Sequence, residues 1–232
     1  LAGVPGSGKT NSMMYLANTL VKSLDIPVLI FEPAKREYRT LAAMEETYTL
    51  FSPGGSVCFP LHINPFQFPK GMTLSEHIGN LMGVFEGAFE LEGPTPFLLD
   101  RAIEAVYRDK GWYPEKEHDG TLDFPTMSQL YEKFDALLEE TGYDAETKSS
   151  LKTVLQVRIG SLLSREMGNI FDVPRSSLKP EEWLERSVII ELESLGSGPA
   201  NFLMLMVSTL IREVLKIKPY EKERLHGKPR HM

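Results

Sequence analysis

A chain of 232 residues, 42% of them hydrophobic, is long enough for one α/β domain with an insertion and a core of its own. Its formal net charge of −7 gives no sign of a nucleic-acid binder, and its single cysteine, Cys58, excludes an internal disulfide framework and suits a reducing cytoplasm. No apolar run has the length of a transmembrane helix, no signal peptide opens the chain, and His62, His77, His118, His226 and His231 show no metal-ligand spacing, so neither a membrane segment nor a zinc site is expected.

The chain opens on "LAGVPGSGKT", in which Gly3 to Thr10 fits G-x-x-x-x-G-K-[ST] at every fixed position. A polyphosphate needs backbone N–H groups brought close on several sides, and glycines at 3, 6 and 8 remove the Cβ atoms that would block that approach. Gly3, Pro5, Gly6, Ser7, Gly8, Lys9, Thr10 and Asn11 are therefore the expected contacts of ATP. Lys9 is expected to act catalytically, with its ammonium on the β- and γ-phosphates, and the Thr10 hydroxyl is expected to hold Mg²⁺.

Asn11 to Ser23 continues with Met13, Met14, Leu16, Ala17, Leu20, Val21 and Leu24 at helical spacing, and "IPVLIFEP" reads as a buried strand. The polar stretch Glu32 to Tyr38 lies just past that strand, where open α/β sheets collect ligands; a solvated turn is the equal alternative. A short helix around "REYRTLAAMEE" and strands at "YTLFSP" and "SVCFPLHINPF" follow, with Pro53-Gly54-Gly55 between the two strands. His62 and Asn64 read as loop-structuring groups.

From Thr73 the pattern turns to successive helices. "TLSE" reads as a capping box, "TPFLLDRAIEAVYRDKG" places Thr95 at an N-cap and Pro96 at the first helical position, and "TMSQLYEKFDALLEETG" repeats that form with Thr126 and Gln129. "SLKTVLQVRIGSLLSRE" gives one apolar stripe and carries Arg158 and Arg165 seven apart. "RSVIIELESL" then returns to a buried strand, and "GPANFLMLMVSTLIREVLKI" is an amphipathic helix. Residues 1–70 and 169–232 are thus expected to form an α/β core, with 71–168 as an all-helical insertion. From Arg212 onward seven Lys/Arg face three Asp/Glu, a local charge of +4 that leaves −11 on the rest; a solvated tail is the ordinary meaning.

Hydrolysis needs a carboxylate besides the loop, and "SVIIELESL" offers Glu191 and Glu193, two apart and hence on one face of a strand. Glu191 is the expected catalytic acid; a core strand with polar residues at its end is the competing interpretation. Arg158 is the candidate for an arginine that reaches a neighbouring subunit's γ-phosphate, against an ordinary ion pair at a bundle rim.

The succession "GVPGSGKT", "VLIFEPAKREYRTL", "HINPFQFP", "TLSEHIGNLMGVF", "FLLDRAIEAVYRDKGW", "RIGSLLSREMGNIF" and "VIIELESLG" resembles the HerA/FtsK-type ATPases over essentially the whole chain, and in particular HerA-like proteins that share ancestry with the ATPases of conjugative secretion. The resemblance implies a P-loop, RecA-like core that assembles as a homo-hexameric ring, hydrolyses ATP at its subunit interfaces and pumps DNA, with a partner nuclease. It also implies a Walker B strand ending in Glu-Glu-Ala-His beyond Met232, so that this chain is expected to be a portion of a longer protein that binds ATP with little or no turnover alone. A conjugation-type motor moving protein or nucleoprotein, a small-molecule phosphotransferase and a nucleotide-binding module without turnover are the alternatives. The absence of N-K-x-D and of L-S-G-G-Q disfavours a GTPase and an ABC-type ATPase.

Overall fold

The computed structural model describes residues 4, 6–53 and 60–218. In chain order these form α1 (Lys9–Leu24), β1 (Leu29–Glu32), α2 (Arg39–Met44), β2 (Tyr48–Phe51), α3 (Leu74–Ala88), α4 (Thr95–Asp109), α5 (Met127–Glu139), α6 (Ala145–Leu163), α7 (Glu166–Phe171), a 3-10 turn (Pro180–Leu184), β3 (Ser187–Glu191) and α8 (Ser197–Ile217). They fall into two units. One holds the described residues up to Pro60, Glu182–Ser194 and Lys218; the other holds Leu61–Glu181 and Leu195–Ile217.

The first unit is a parallel three-stranded sheet in the order β1-β3-β2. The late strand β3 inserts between the two early ones, so every residue of it is buried, which its run of Val and Ile anticipates. Register pairs Leu29 with Val188 and brings the last residues of β1 and β3, Glu32 and Glu191, side by side. Ala17 and Val21 of α1, Leu41 of α2, Tyr48 and Ile189 make the core. Asp25 closes α1 in the left-handed region, at φ 54°, and its N–H returns to the Leu20 carbonyl, which turns the chain toward β1. The apolar stripe expected on α1 is only half used. Met13, Leu16 and Leu24 stay exposed, while Ala17 and Val21 are buried.

The second unit is helical. Helix α3 packs on α8 and α4, α4 on α5, α5 on α6, and α6 on α7. Its boundaries differ from the expected 71–168: it begins at Leu61 and takes in α8, whose buried Phe202, Leu203, Met206 and Leu210 belong to the same helical core. An aromatic cluster of Phe68, Tyr107, Trp112, His118 and Phe124 fills that core, with Phe68 and His77 stacked 4.6 Å apart. Edge-to-face and offset contacts of this kind add to the burial of the rings.

Three local expectations resolve differently. Residues 54–59 lie outside the described residues, and 60–66 form no strand. Instead the Asn64 amide donates to the carbonyls of Pro125 (2.9 Å) and Pro174 (3.1 Å) and accepts from Phe66 N–H, so a buried side chain satisfies the backbone that a ladder would have paired. The Thr73 side chain does not cap α3. The N–H groups of Leu74 and Ser75 donate to the carbonyls of Lys116 and Pro114, a distant segment doing the work of a cap. At α4 the cap position is Pro94, and Thr95 is already helical. The capping box of Thr126 and Gln129 on α5 forms as expected.

Candidate functional site

Gly6 and Gly8 lie at φ 78° and 81°, a region that glycine enters freely and other residues enter only with strain. A Cβ added at either would meet nothing within 4 Å, so the concave side of the loop is open space. Lys9 begins α1, and its Nζ donates to the Val4 carbonyl at 2.8 Å and lies 3.5 Å from Ser7 Oγ, arched over the loop. The first turn of α1 contains no acidic residue, so the positive end of a 16-residue helix is not offset from within. Such an end favours an anion. Gly3 and Pro5 lie outside the described residues.

An open cleft of roughly 600 Å³ runs along this loop, a size that suits a nucleotide. Gly6, Gly8, Lys9, Thr10 and Asn11 line one part of it, and Lys35, Glu37 and Thr40 line another. The second group comes from the turn after β1. Its backbone is held by Glu32, a buried carboxylate that accepts the N–H of Glu37 at 2.6 Å and of Tyr38 at 3.4 Å. Burial pushes the Glu32 carboxyl above its usual range against those two hydrogen bonds, and the charges of Glu191 and Glu37 push the same way as burial. Interaction with the Thr10 hydroxyl chiefly holds the Glu37 carboxyl below its usual range, with Lys35, 3.5 Å away, assisting against partial desolvation.

Glu191 is 2% exposed, and both its oxygens are taken by Arg39: Nε at 2.5 Å from Oε1 and Nη2 at 2.7 Å from Oε2. Burial raises its carboxyl, but hydrogen bonds from Arg39 and Ser52 and the charges of Arg39 and Arg36 prevail and hold it below the ordinary value. Arg36 also bonds Glu193 at 2.9 Å, so one arginine gathers the two carboxylates that the strand pattern set on one face. Both expected acids are thus engaged by guanidinium groups, whereas the carboxylate on the phosphate cleft is Glu37. Sequence reasoning marked the stretch that contains it without singling it out. Its position just past a strand end was the available signal.

Arg158 is half-buried on α6, and that helix ends at Leu163, so Arg165 does not share its face. Arg165 precedes α7 at φ 51° and ψ −128°. Neither guanidinium forms an ion pair among the described residues.

The residues fit a Mg²⁺–nucleotide. The loop leaves open space at Gly6 and Gly8 beside a helix start with no acidic residue, and the Thr10 hydroxyl and the Glu37 carboxylate on the same cleft are oxygen donors that suit a hard cation. Among the described residues no group of three or more His, Cys, Asp or Glu is placed to hold a metal by itself, and no helix is long and apolar enough to cross a membrane.

Comparison with known proteins agrees with this geometry. The family model of "Helicase HerA, central domain" matches residues 1–214. The solved structure of VirB4 of Thermoanaerobacter pseudethanolicus has a similar fold, with a TM-score of 0.63 and 18% identity over 90% of this chain and 75% of that one. No curated protein matches. The chain belongs to the family of the HerA helicase central domain, and its fold is that of a P-loop NTPase core.

Proposed function

We propose that this chain is the ATP-binding portion of an ATP-driven motor that moves DNA, working in its full-length protein as a cytoplasmic ring of six copies with ATP at the subunit interfaces. The observation that carries the nucleotide part is the cleft lined on one part by Gly6, Gly8, Lys9 and Thr10 and on another by Lys35, Glu37 and Thr40. Backbone N–H groups of the loop and of the start of α1 would bind the phosphates, and Lys9 would leave the Val4 carbonyl for the β- and γ-phosphates. Thr10 would hold Mg²⁺, which when bound spreads and offsets the phosphate charge.

Glu191, tied to Arg39, is assigned a structural part in this proposal, and the chain alone binds ATP with little turnover. Arg158, with no ion pair of its own among the described residues, is retained as the candidate that reaches across to a neighbouring copy. DNA as cargo, the ring and a partner nuclease rest on family kinship. Kinship with the conjugation ATPases supports a second reading, in which the cargo is protein or nucleoprotein.

Lys9→Ala tests the nucleotide part. It is expected to abolish binding in an ATP titration while leaving the far-ultraviolet circular dichroism unchanged; an unchanged affinity would overturn it. Stimulation of the full-length protein's ATPase by duplex DNA tests the cargo, and stimulation by a protein substrate alone would favour the second reading.

A further inference from the structure

We infer that the basic tail of the chain, residues 219–232, docks on a second cleft, lined by carboxylates, at the starting end of the sheet. This cleft measures roughly 470 Å³, lies wholly within the sheet unit and shares no residue with the glycine-loop cleft. Pro27 before β1, Thr47 before β2 and Ser187 at the start of β3 all line it. The strands are parallel, so it lies at the end of the sheet opposite Glu32 and Glu191.

The exposed carboxylates of Asp25, Glu46 and Glu185 stand here beside half-exposed Ile26, Pro27 and Leu184. Among the described residues neither Asp25 nor Glu46 has an ion-pair partner, and Arg186, the one cation that lines the cleft, is paired with Glu182 at 2.9 Å. Charge of this sign repels a nucleic-acid backbone and suits a basic, partly apolar segment. The chain itself brings one to the cleft. Helix α8 ends at Ile217, and the next residue, Lys218, is 3.5 Å from Glu185. Residues 219–232 then carry Lys222, Arg224, Lys228 and Arg230 against Glu221 and Glu223, with Tyr220 and Leu225 as apolar partners for Ile26 and Leu184. Exposed ion pairs are weak singly. A tail tethered beside its site meets it at an effective concentration of about millimolar, so contacts too weak to hold a separate peptide suffice.

The experiment is limited digestion of the chain with trypsin, read by mass spectrometry at the bonds after Lys222 and Arg224. A free peptide with the sequence of residues 218–232 sets the unprotected rate. At low salt the tail should be cut about fivefold more slowly than the peptide, and the protection should fade by about 0.5 M salt as the charges are screened. Asp25→Asn, Glu46→Gln and Glu185→Gln together, all at exposed positions, should bring the rate to within about twofold of the peptide. Lys228→Glu with Arg230→Glu, which alters none of the described residues and keeps both cut sites, should do the same. ATP titration of these variants should match that of the wild type.

A wild-type tail cut at the rate of the free peptide would overturn the assignment. So would protection that survives the loss of the three carboxylates, which would put the tail on another surface. Protection that grows with chain concentration would put it on a second copy and overturn the assignment as well.

Discussion

Arg39 leaves the first turn of α2 and closes a two-pronged ion pair on Glu191 at the end of β3, with contacts of 2.5 and 2.7 Å. The fork of a guanidinium matches a carboxylate edge-on, which gives direction as well as attraction. The pair therefore fixes helix to strand within the sheet unit. A carboxylate at the end of an apolar strand reads as an acid from sequence; in the fold it is paired with an arginine 152 residues away.

Arg39→Ala should strand a buried charge and cost about 2–3 kcal/mol of stability, read as a lower denaturant midpoint. The pH dependence separates this from lost packing. The Glu191 carboxyl is depressed in the folded state from its ordinary 4.5, so its contribution is fully present above about pH 4.5 and is lost as the pH falls through the folded value. Glu32, raised by burial, works in the opposite sense and gains on protonation. Glu191→Gln should accordingly make the acid limb of the stability curve shallower, while Glu37, Asp119, Glu139 and Asp144, whose carboxyls are also held low, maintain the rest of it. An acid limb identical to that of the wild type would mean that the pair contributes nothing to folding.

Legibility followed the range of the interactions. The glycine loop, α1 and the Thr126–Gln129 box rest on contacts a few residues apart, and the apolar run of β3 announces a strand buried along its whole length; these stood plainly in the sequence, whereas the apolar residues of β1, read as buried, are half-exposed. The placing of Glu37 on the cleft of the glycine loop, Arg39 on Glu191 and the capping of α3 by the carbonyls of Pro114 and Lys116 are made by the fold, and no local pattern encodes them. The half-used stripe of α1 has the same origin. Periodicity sets which side chains share a face, not how many of them are covered.

Thr95 shows the cost of such a displacement. Its sequence position suggests an N-cap, but the helix starts one residue earlier, and its hydroxyl is buried with no hydrogen-bond partner among the described residues. A buried donor left unmade costs free energy that the methyl of a valine does not. Thr95→Val, nearly equal in volume, should raise the denaturant midpoint by the equivalent of about 1 kcal/mol. A lowered midpoint would reveal that the hydroxyl is satisfied, by water or otherwise.

His77 of α3 and Glu213 of α8 meet inside the helical unit, both essentially without exposure, with Nδ1 3.0 Å from Oε1. The other ring nitrogen faces the Pro65 carbonyl at 3.2 Å, and Asn80 donates to the same Glu213 oxygen at 2.8 Å. The second Glu213 oxygen is buried without a partner among the described residues, so the cluster is already one bond short. Removing either member should therefore be expensive. Glu213→Leu deprives His77 and Asn80 of their acceptor, His77→Leu leaves the carboxylate to Asn80 alone, and each should cost about 3 kcal/mol. The double variant should cost much less than both together, since two leucines pack where a polar pair had to be kept dry. Fluorescence of Trp112, buried in the same unit, reports the unfolding in a Trp183→Phe background. Additivity within about 0.5 kcal/mol would show the two residues to be independent.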